Sequence, residues 1–383
     1  MDKLDELRRE IDGIDRQLAE LFLRRMEVTG QVGTWKRNHG MPVLDSVREK
    51  DVLARKTALT GDPARRADLA ALFESIMAIS RRQQRRLMRE ADDGCTRIYT
   101  ALSTMRQPVI DNPRVLYQGQ PGAYAEEAAV RFFGETAPRN RTETWEDIFL
   151  ALNDKTADYG LVPIENSSTG AISQVYDLLA KYGAYIVGEQ IVPVEHCLMA
   201  PPGATLDSVR DVYSHEQGLI QCADYLKAHP AWTGHPRLNT AESAQYVAGC
   251  SSVNKAAIGS RRAAGLYGLT ILADHISISE ENYTRFVVVS PQIEDRAGRN
   301  KVSALFRLPH RAGSLHEIMT IFAVNGLNLL KLESRPIRGR NWEYLFFLDF
   351  TGDLTGPGMD GVLRELTQTA DGFRILGNYK ASE

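Results

Sequence analysis

The 383-residue sequence is short of several features that mark whole functional classes. It holds four cysteines, Cys95, Cys197, Cys222 and Cys250, with no CxxC pair. That spacing argues against a zinc site or a disulfide framework and for free thiols in a reducing cytoplasm. It has no surplus of one charge. The 46 basic and 49 acidic residues give −3 at neutral pH, neither a nucleic-acid footprint nor an acidic tail. No apolar run approaches the roughly 18 residues of a membrane span. The opening MDKLDELRRE lacks the apolar core of a secretory signal. What is present, 43% hydrophobic and 25% charged residues, suits a soluble globular protein. Its length implies about two or three domains.

From Leu4 onward, apolar residues recur at Leu7, Ile11, Ile14, Leu18, Leu21, Val28, Val32 and Trp35, a helical stripe. Some 33 residues at about 1.5 Å each reach roughly 50 Å, so the stripe must be covered by the following helices or a second chain. Arg25 interrupts it. A buried unpaired guanidinium costs several kcal/mol, so Arg25 must meet an anion, pair with an acidic neighbour or reach solvent along its stem. Lys36 stands on the same side, about 1100° and roughly 16 Å further on. Arg8 lies about 25 Å from Arg25 and could join its site only from an antiparallel second copy. A second helix begins in LDSVREKDVL with Asp45 as N-cap and Arg48 and Glu49 in its first turns. A third covers about 64–90, where the face of Leu69, Phe73 and Ile76 runs into Ser80 and Gln84. The adjoining RRQQRR reads as a solvated face.

LRREIDGIDRQLAELFLRR, VGTWK, VLDSVREKD and SRRQQ together resemble the all-helical chorismate mutase domain. The resemblance implies an intertwined dimer of three-helix chains. Its substrate cations fall on Arg8 (from the partner chain), Arg25, Lys36 and Arg48, and its polar contacts on Asp45, Glu49, Ser80 and Gln84. The implied reaction is a concerted pericyclic rearrangement, which needs a compact conformer held in place and charge stabilised on the breaking ether oxygen. Arginines would clamp the two carboxylates. Lys36 and Gln84 would donate to the ether oxygen, and Glu49 would hold the ring hydroxyl.

Residues 91–112 break the helical rhythm with Gly94, Pro108 and Asn112-Pro113 and read as a linker. Then RVLYQG, a helix from about Ala125, YGLVPIEN, a helix from Ile172 and IVGEQIVPVEHCLMA alternate, which predicts an α/β domain with largely parallel strands. Ligands in such sheets bind in loops beyond the strands' carboxyl ends. PGAY, PIENSSTGA, VYSHEQGLIQC and NYTRFVVV supply polar groups at such ends. Together with IVGEQ, EHCLMA and GLYGL, these strings resemble prephenate dehydratase across about 114–290. The resemblance implies a cleft between two lobes, lined by Glu165, Asn166, Ser214, Gln221, Thr284, Arg285 and Phe286. Ala125 and Asn239 depart from the hydroxyl residues usual there. Thr284 would contact the departing hydroxyl, acting as a relay because its own hydroxyl is a weak acid. Arg285 would orient a carboxylate or support the cleft. Glu165, if burial raises its pKa, and His215 are the candidate proton donors, with a structural role favoured for the imidazole.

The last eighty residues predict β-α-β-β-α-β, the ferredoxin-like order, with a helix near 359–369 and with Gly313 opening and Gly326 closing the first helix. RAGSLHEI and ESRP resemble the amino-acid-binding ACT domain. That implies an effector site at Gly313, Ser314, Leu315, Asn328, Glu333, Ser334 and Arg335, with L-phenylalanine as effector. Leu330 and Lys331 depart from the usual polar residues.

The expectation is therefore a multidomain chain. It comprises an all-α mutase domain over 1–90, a linker over 91–112, a two-lobed α/β, periplasmic-binding-protein-like dehydratase domain over 113–292 and an α+β regulatory domain over 299–383. The implied partners are chorismate and prephenate as substrates and a homodimer or higher even oligomer, with no cofactor, metal, nucleic acid or membrane. Two rivals stand beside it: an amino-acid sensor built on the two-lobed architecture, and a dehydratase whose helical segment serves only assembly.

Overall fold

The computed structural model describes residues 3–87, 103, 105–109, 111–278, 281–308, 310, 313–337, 339 and 343–382. Most of the expected linker and Cys95 lie outside them.

The N-terminal segment forms α1 (Lys3–Asn38), α2 (Ser46–Thr57) and α3 (Pro63–Leu87). Asp5 and Glu6 at the start of α1, and Lys36 and Arg37 at its end, complement the helix dipole. Asp45 caps α2 by accepting from the Arg48 N–H at 2.9 Å, as its sequence position predicts. Gly33 lets α1 and α3 touch, because a Cβ there would lie 3.0 Å from Gln84 Cγ and 3.2 Å from its Cα. These helices bury little by themselves. Met77 is their one buried hydrophobic side chain among the described residues, while Leu7, Ile11, Ile14, Leu18 and Leu21 stay 46–64% exposed.

Three sheets make up a second compact unit. The first runs β2 (Arg139–Thr142), β1 (Val115–Gln118), β3 (Tyr159–Asn166), β11 (Tyr283–Ser290), β5 (Tyr185–Pro193), with the short β4 (Gly170–Ala171) beside β3. Helices α4 (Tyr124–Phe133), α5 (Trp145–Asn153) and α6 (Ser173–Tyr182) accompany it. The second runs β10 (Thr270–Ala273), β6 (Cys197–Ala200), β9 (Lys255–Gly259), β7 (Asp211–His215), β8 (Thr233–Arg237). Its helices are α7 (Glu216–Gln221), α8 (Ala223–Lys227), α9 (Thr240–Cys250) and α10 (Arg261–Leu266). The chain is therefore two-lobed in its middle part, as expected, but less parallel than expected. β11 runs antiparallel to both β3 and β5, and β6 antiparallel to β9 and β10. The reason is the path of the chain: it leaves the first lobe at the end of β5 and returns on β11 in the opposite direction. IVGEQIVPVEHCLMA accordingly splits between β5 and β6, which belong to different sheets, and His196 falls on the crossing.

The third sheet runs β13 (Leu329–Pro336), β14 (Tyr344–Thr351), β12 (Lys301–Arg307), β15 (Asp371–Tyr379), the ferredoxin-like order, with α11 (Ser314–Val324) and α12 (Met359–Thr369) between strands. It shares one core with the first lobe. Leu305, Phe347, Leu376 and Tyr379 pack among Ile148, Val175, Tyr176 and Ile186, and the Tyr176 and Phe347 ring centroids are 4.7 Å apart. Gly377 marks the closest approach, since a Cβ on it would lie 2.0 Å from the Ile186 carbonyl oxygen.

Candidate active sites

In the helical unit, Arg25 donates to Ser80 Oγ at 2.5 Å, and partial burial lowers the guanidinium pKa. Ser80 and Gln84 are both buried, and Gln84 Oε1 has no hydrogen-bond partner among the described residues. Lys36 Nζ donates to the Val43 carbonyl at 2.7 Å, Glu49 accepts from Arg81, and Arg48 pairs with Asp51 at 3.4 Å. One chain thus gathers Arg25, Ser80 and Gln84 on facing helices. Arg8 is not brought near them; it is exposed and pairs with Asp5 at 3.7 Å. The RRQQRR run is not the solvated face expected of it: Gln84 is buried, and the Arg81 and Arg82 side chains are mostly buried, Arg81 against Glu49.

Between the two lobes lies a cavity of about 310 Å³. Gln118, Tyr124, Trp145, Asn166 and Thr169 line it from one side, His215, Gln217, Gln221 and Thr240 from the other, and His196, Thr284 and Phe286 at the junction. These are strand ends and helix starts, where such sheets place ligands. A bulge governs the first wall. Thr284 pairs with Asn166 and Phe286 with Pro163, leaving Ile164 as the extra residue of β3. The bulge puts two residues of odd separation, Pro163 and Asn166, on the cleft side together with Thr284 and Phe286.

The same alternation turns Arg285 and Glu165 away, so neither makes the expected cleft contact, and Arg285 takes the supporting place that was the alternative for it. Arg285 is mostly buried on the opposite face of β11, 2.7 Å from Glu189, 2.8 Å from Asp349, 3.1 Å from the Tyr379 hydroxyl and 3.7 Å from Glu165. Burial alone would lower its pKa, but Tyr379, Asp349 and Glu189 outweigh that and raise it. Lys301 also pairs with Glu189 at 2.9 Å, and Lys331 with Glu165 at 2.8 Å. Glu165 therefore meets two cations and no cleft atom. Ser214 is a second correction: it is fully buried behind the cleft and donates to the Ile258 carbonyl at 2.9 Å. Of the seven expected residues, Asn166, Gln221, Thr284 and Phe286 line the cavity.

His196 and Tyr124 were missed. His196 is 2% exposed, with Nε2 2.9 Å from Gln221 Oε1 and Nδ1 3.2 Å from the Tyr124 hydroxyl. Burial lowers its pKa, so the ring is neutral near neutral pH. Only its place inside EHCLMA, beside a lobe crossing, could have signalled it. His215 lines the cavity but also caps α7, accepting from the Gln217 N–H at 3.2 Å, which fits the structural role favoured for it. Asn239, the departure from a usual hydroxyl, caps α9 by accepting from the Glu242 N–H at 2.7 Å. Neither buried thiol is poised as a nucleophile, since burial pushes Cys197 up to about 11 and Cys222 to about 12.

The expected effector residues do not all point one way. Gly313 has φ of +81°, and Ser314 and Leu315 open α11. The Asn328 N–H donates to Thr351 Oγ1 at 3.2 Å. Along β13, Glu333 and Arg335 share one face and Ser334 lies on the other. Arg335 turns to α6, 2.6 Å from Ser173 Oγ and 3.4 Å from Asp177, so it is already occupied.

Comparison with known proteins agrees with this division. The family model for chorismate mutase type II matches residues 7–85, and that for prephenate dehydratase matches 115–294. The bifunctional chorismate mutase/prephenate dehydratase of Escherichia coli K12 is 32% identical over 97% of this chain and 95% of that protein. Its counterpart in Aquifex aeolicus is 28% identical over 99% and 98%. Among solved structures, the prephenate dehydratase of Arthrobacter aurescens in complex with L-Phe is 29% identical over 70% of this chain and 90% of that one, with a TM-score of 0.64. The quorum-quenching acylase GqqA is also 29% identical, over 70% and 98%, with a TM-score of 0.64. Matching along nearly its whole length, with a helical unit ahead of a two-lobed one, the chain belongs to the bifunctional chorismate mutase/prephenate dehydratase family.

Proposed function

We infer that this chain converts chorismate to prephenate in its helical unit and prephenate to phenylpyruvate in the cleft. The observation that carries the second step is a Thr284 hydroxyl at the wall of the cleft between the lobes, with no nucleophile or metal cluster beside it among the described residues. Prephenate needs neither. Its ring carboxylate leaves as carbon dioxide, the freed electron pair enters the ring, and the hydroxyl departs with one proton as water. Aromaticity drives the step, so the cleft has to orient the substrate and assist the departing hydroxyl. Thr284 is the group we assign to that hydroxyl, and Gln221, held by His196, to the substrate's polar rim. Glu165 is dropped as proton donor, because its carboxylate is engaged by Lys331 and Arg285.

For the mutase step, Arg25, Lys36 and Arg48 are assigned to the carboxylates and ether oxygen, with Ser80, Gln84, Asp45 and Glu49 as polar contacts and Arg8 from a partner chain. The uncovered stripe of α1 supports a homodimer. No helix among the described residues is long and apolar enough to cross a membrane, and we place the protein in the cytoplasm. We take residues 299–383 as an ACT module that binds L-phenylalanine and restrains the cleft; the L-Phe complex of the Arthrobacter relative supports that effector.

The test is to supply purified protein with chorismate alone and follow chorismate loss and phenylpyruvate gain, with and without L-phenylalanine. Sequential appearance of prephenate and phenylpyruvate, slowed by the amino acid, is expected. Prephenate that accumulates unchanged would remove the dehydratase assignment, and unconsumed chorismate the mutase assignment. Thr284→Ala separates enzyme from sensor: an enzyme loses phenylpyruvate formation, whereas a sensor has no turnover to lose.

A further inference from the structure

Asn166 Oδ1 sits 3.0 Å from the backbone nitrogens of both Ser168 and Thr169. Those groups can only donate, so this atom is the amide oxygen and the other terminus is the NH₂. That NH₂ is 2.9 Å from Thr284 Oγ1, 2.8 Å from Asn282 Oδ1 and 3.1 Å from the Tyr283 carbonyl. Two consequences follow by elimination. Thr284 Oγ1 accepts, so its own hydrogen is directed elsewhere, and no acceptor for it is present among the described residues. Asn282 must also accept, which fixes the orientation of its amide in turn. Asn166 is thereby saturated by the protein, and although it lines the cavity it has no group left over for a ligand.

We propose that Asn282, 4% exposed and immediately before the Tyr283-Thr284-Arg285-Phe286 stretch, is a positioning residue for the dehydratase step. By taking one of the two Asn166 NH₂ hydrogens at 2.8 Å, it leaves the other to Thr284 Oγ1 at 2.9 Å, with the Tyr283 carbonyl sharing it at 3.1 Å. The Thr284 hydroxyl is then a polarised donor presented to the departing hydroxyl of prephenate. An oxygen that already receives a hydrogen bond is a better donor of its own hydrogen. Asn282 touches no substrate in this arrangement; it acts through Asn166 and Thr284. The proposal rests on the dehydratase reading and adds to it a residue that neither a cavity lining nor a charge pattern would select.

The experiment is steady-state prephenate turnover by the full chain as wild type, Asn282→Ala, Asn282→Asp, Thr284→Val and the Asn282→Ala/Thr284→Val double variant, each with a thermal unfolding curve. Removing one neutral hydrogen-bond acceptor should lower kcat about three- to tenfold with KM changed less than about twofold. Asn282→Asp keeps an acceptor and should recover most of the lost kcat. In the Thr284→Val background, Asn282→Ala should cost nothing further, because its effect passes through the missing hydroxyl. Equal losses in both backgrounds, no loss at all, or an aspartate as poor as the alanine would each overturn the proposal. If Asn282→Ala unfolds, the aspartate variant alone decides, by whether kcat is kept. A wild-type chain without prephenate turnover removes the underlying reading instead, so the two failures are distinguishable.

Discussion

Arg285 shows how far one residue's role depends on which side of a strand it takes. In the sequence it stands between Thr284 and Phe286 and looks like their partner. In the structure period-two alternation sends it to the opposite face, into a cluster with Glu189, Asp349, Glu165, Lys301 and Lys331. Removing it would leave the largely buried Asp349 without its cation and Glu189 with Lys301 alone. Arg285→Ala is therefore expected to destabilise the second unit by about 3–5 kcal/mol, measurable by chemical denaturation, rather than simply to weaken substrate binding. A loss confined to KM with unchanged stability would contradict this placement. His196 gives a pH prediction. Its folded pKa lies below the ordinary value of 6.5, so the unfolded chain binds the proton more readily. Stability is full above about pH 6.5 and falls as the pH drops through and below that value. Unfolding midpoints between pH 7.5 and 5.5 should show this decline, and His196→Asn should flatten it.

At the scale of elements, the glycines and caps explain most of what was legible. Asp45 is the cap its spacing predicts, and the helix expected at 359–369 is found at Met359–Thr369. The strand expected at YGLVPIEN is β3 to the residue. Its bulge was invisible, because a bulge is set by the partner strand and β11 lies more than a hundred residues away. The same holds for the split of β5 from β6. Gly377 belongs here too, since its neighbour is the Ile186 carbonyl, a backbone atom that cannot rotate aside. Gly377→Ala should cost at least about 3 kcal/mol and should separate the third sheet from the first lobe, visible as a loss of cooperativity in thermal unfolding.

At the scale of the whole molecule, the long α1 is the element on which the proposed dimer rests. Its 36 residues span roughly 54 Å and carry a stripe that stays half exposed in one chain. A second copy that covers the stripe would also bring Arg8 to a site from which its own chain keeps it distant. Leu18→Glu places a charge in the middle of that seam. It should yield a monomer by analytical ultracentrifugation and lower mutase activity at least about tenfold, the worth of one charge-assisted contact, while prephenate turnover persists. A dimer with full mutase activity would show that the stripe is covered by something else.

The sequence by itself determined the elements, their order and the types of group each reaction needs, because periodicity, capping and strand-end polarity are local properties of the chain. Only the tertiary structure decided which of those groups share a space. It kept Thr284 at the cleft and removed Arg285, Glu165 and Ser214, and it brought in His196 and Tyr124. The physical reason is that facing is set by pairing register, bulges and lobe crossings, which are contacts between residues far apart in the chain.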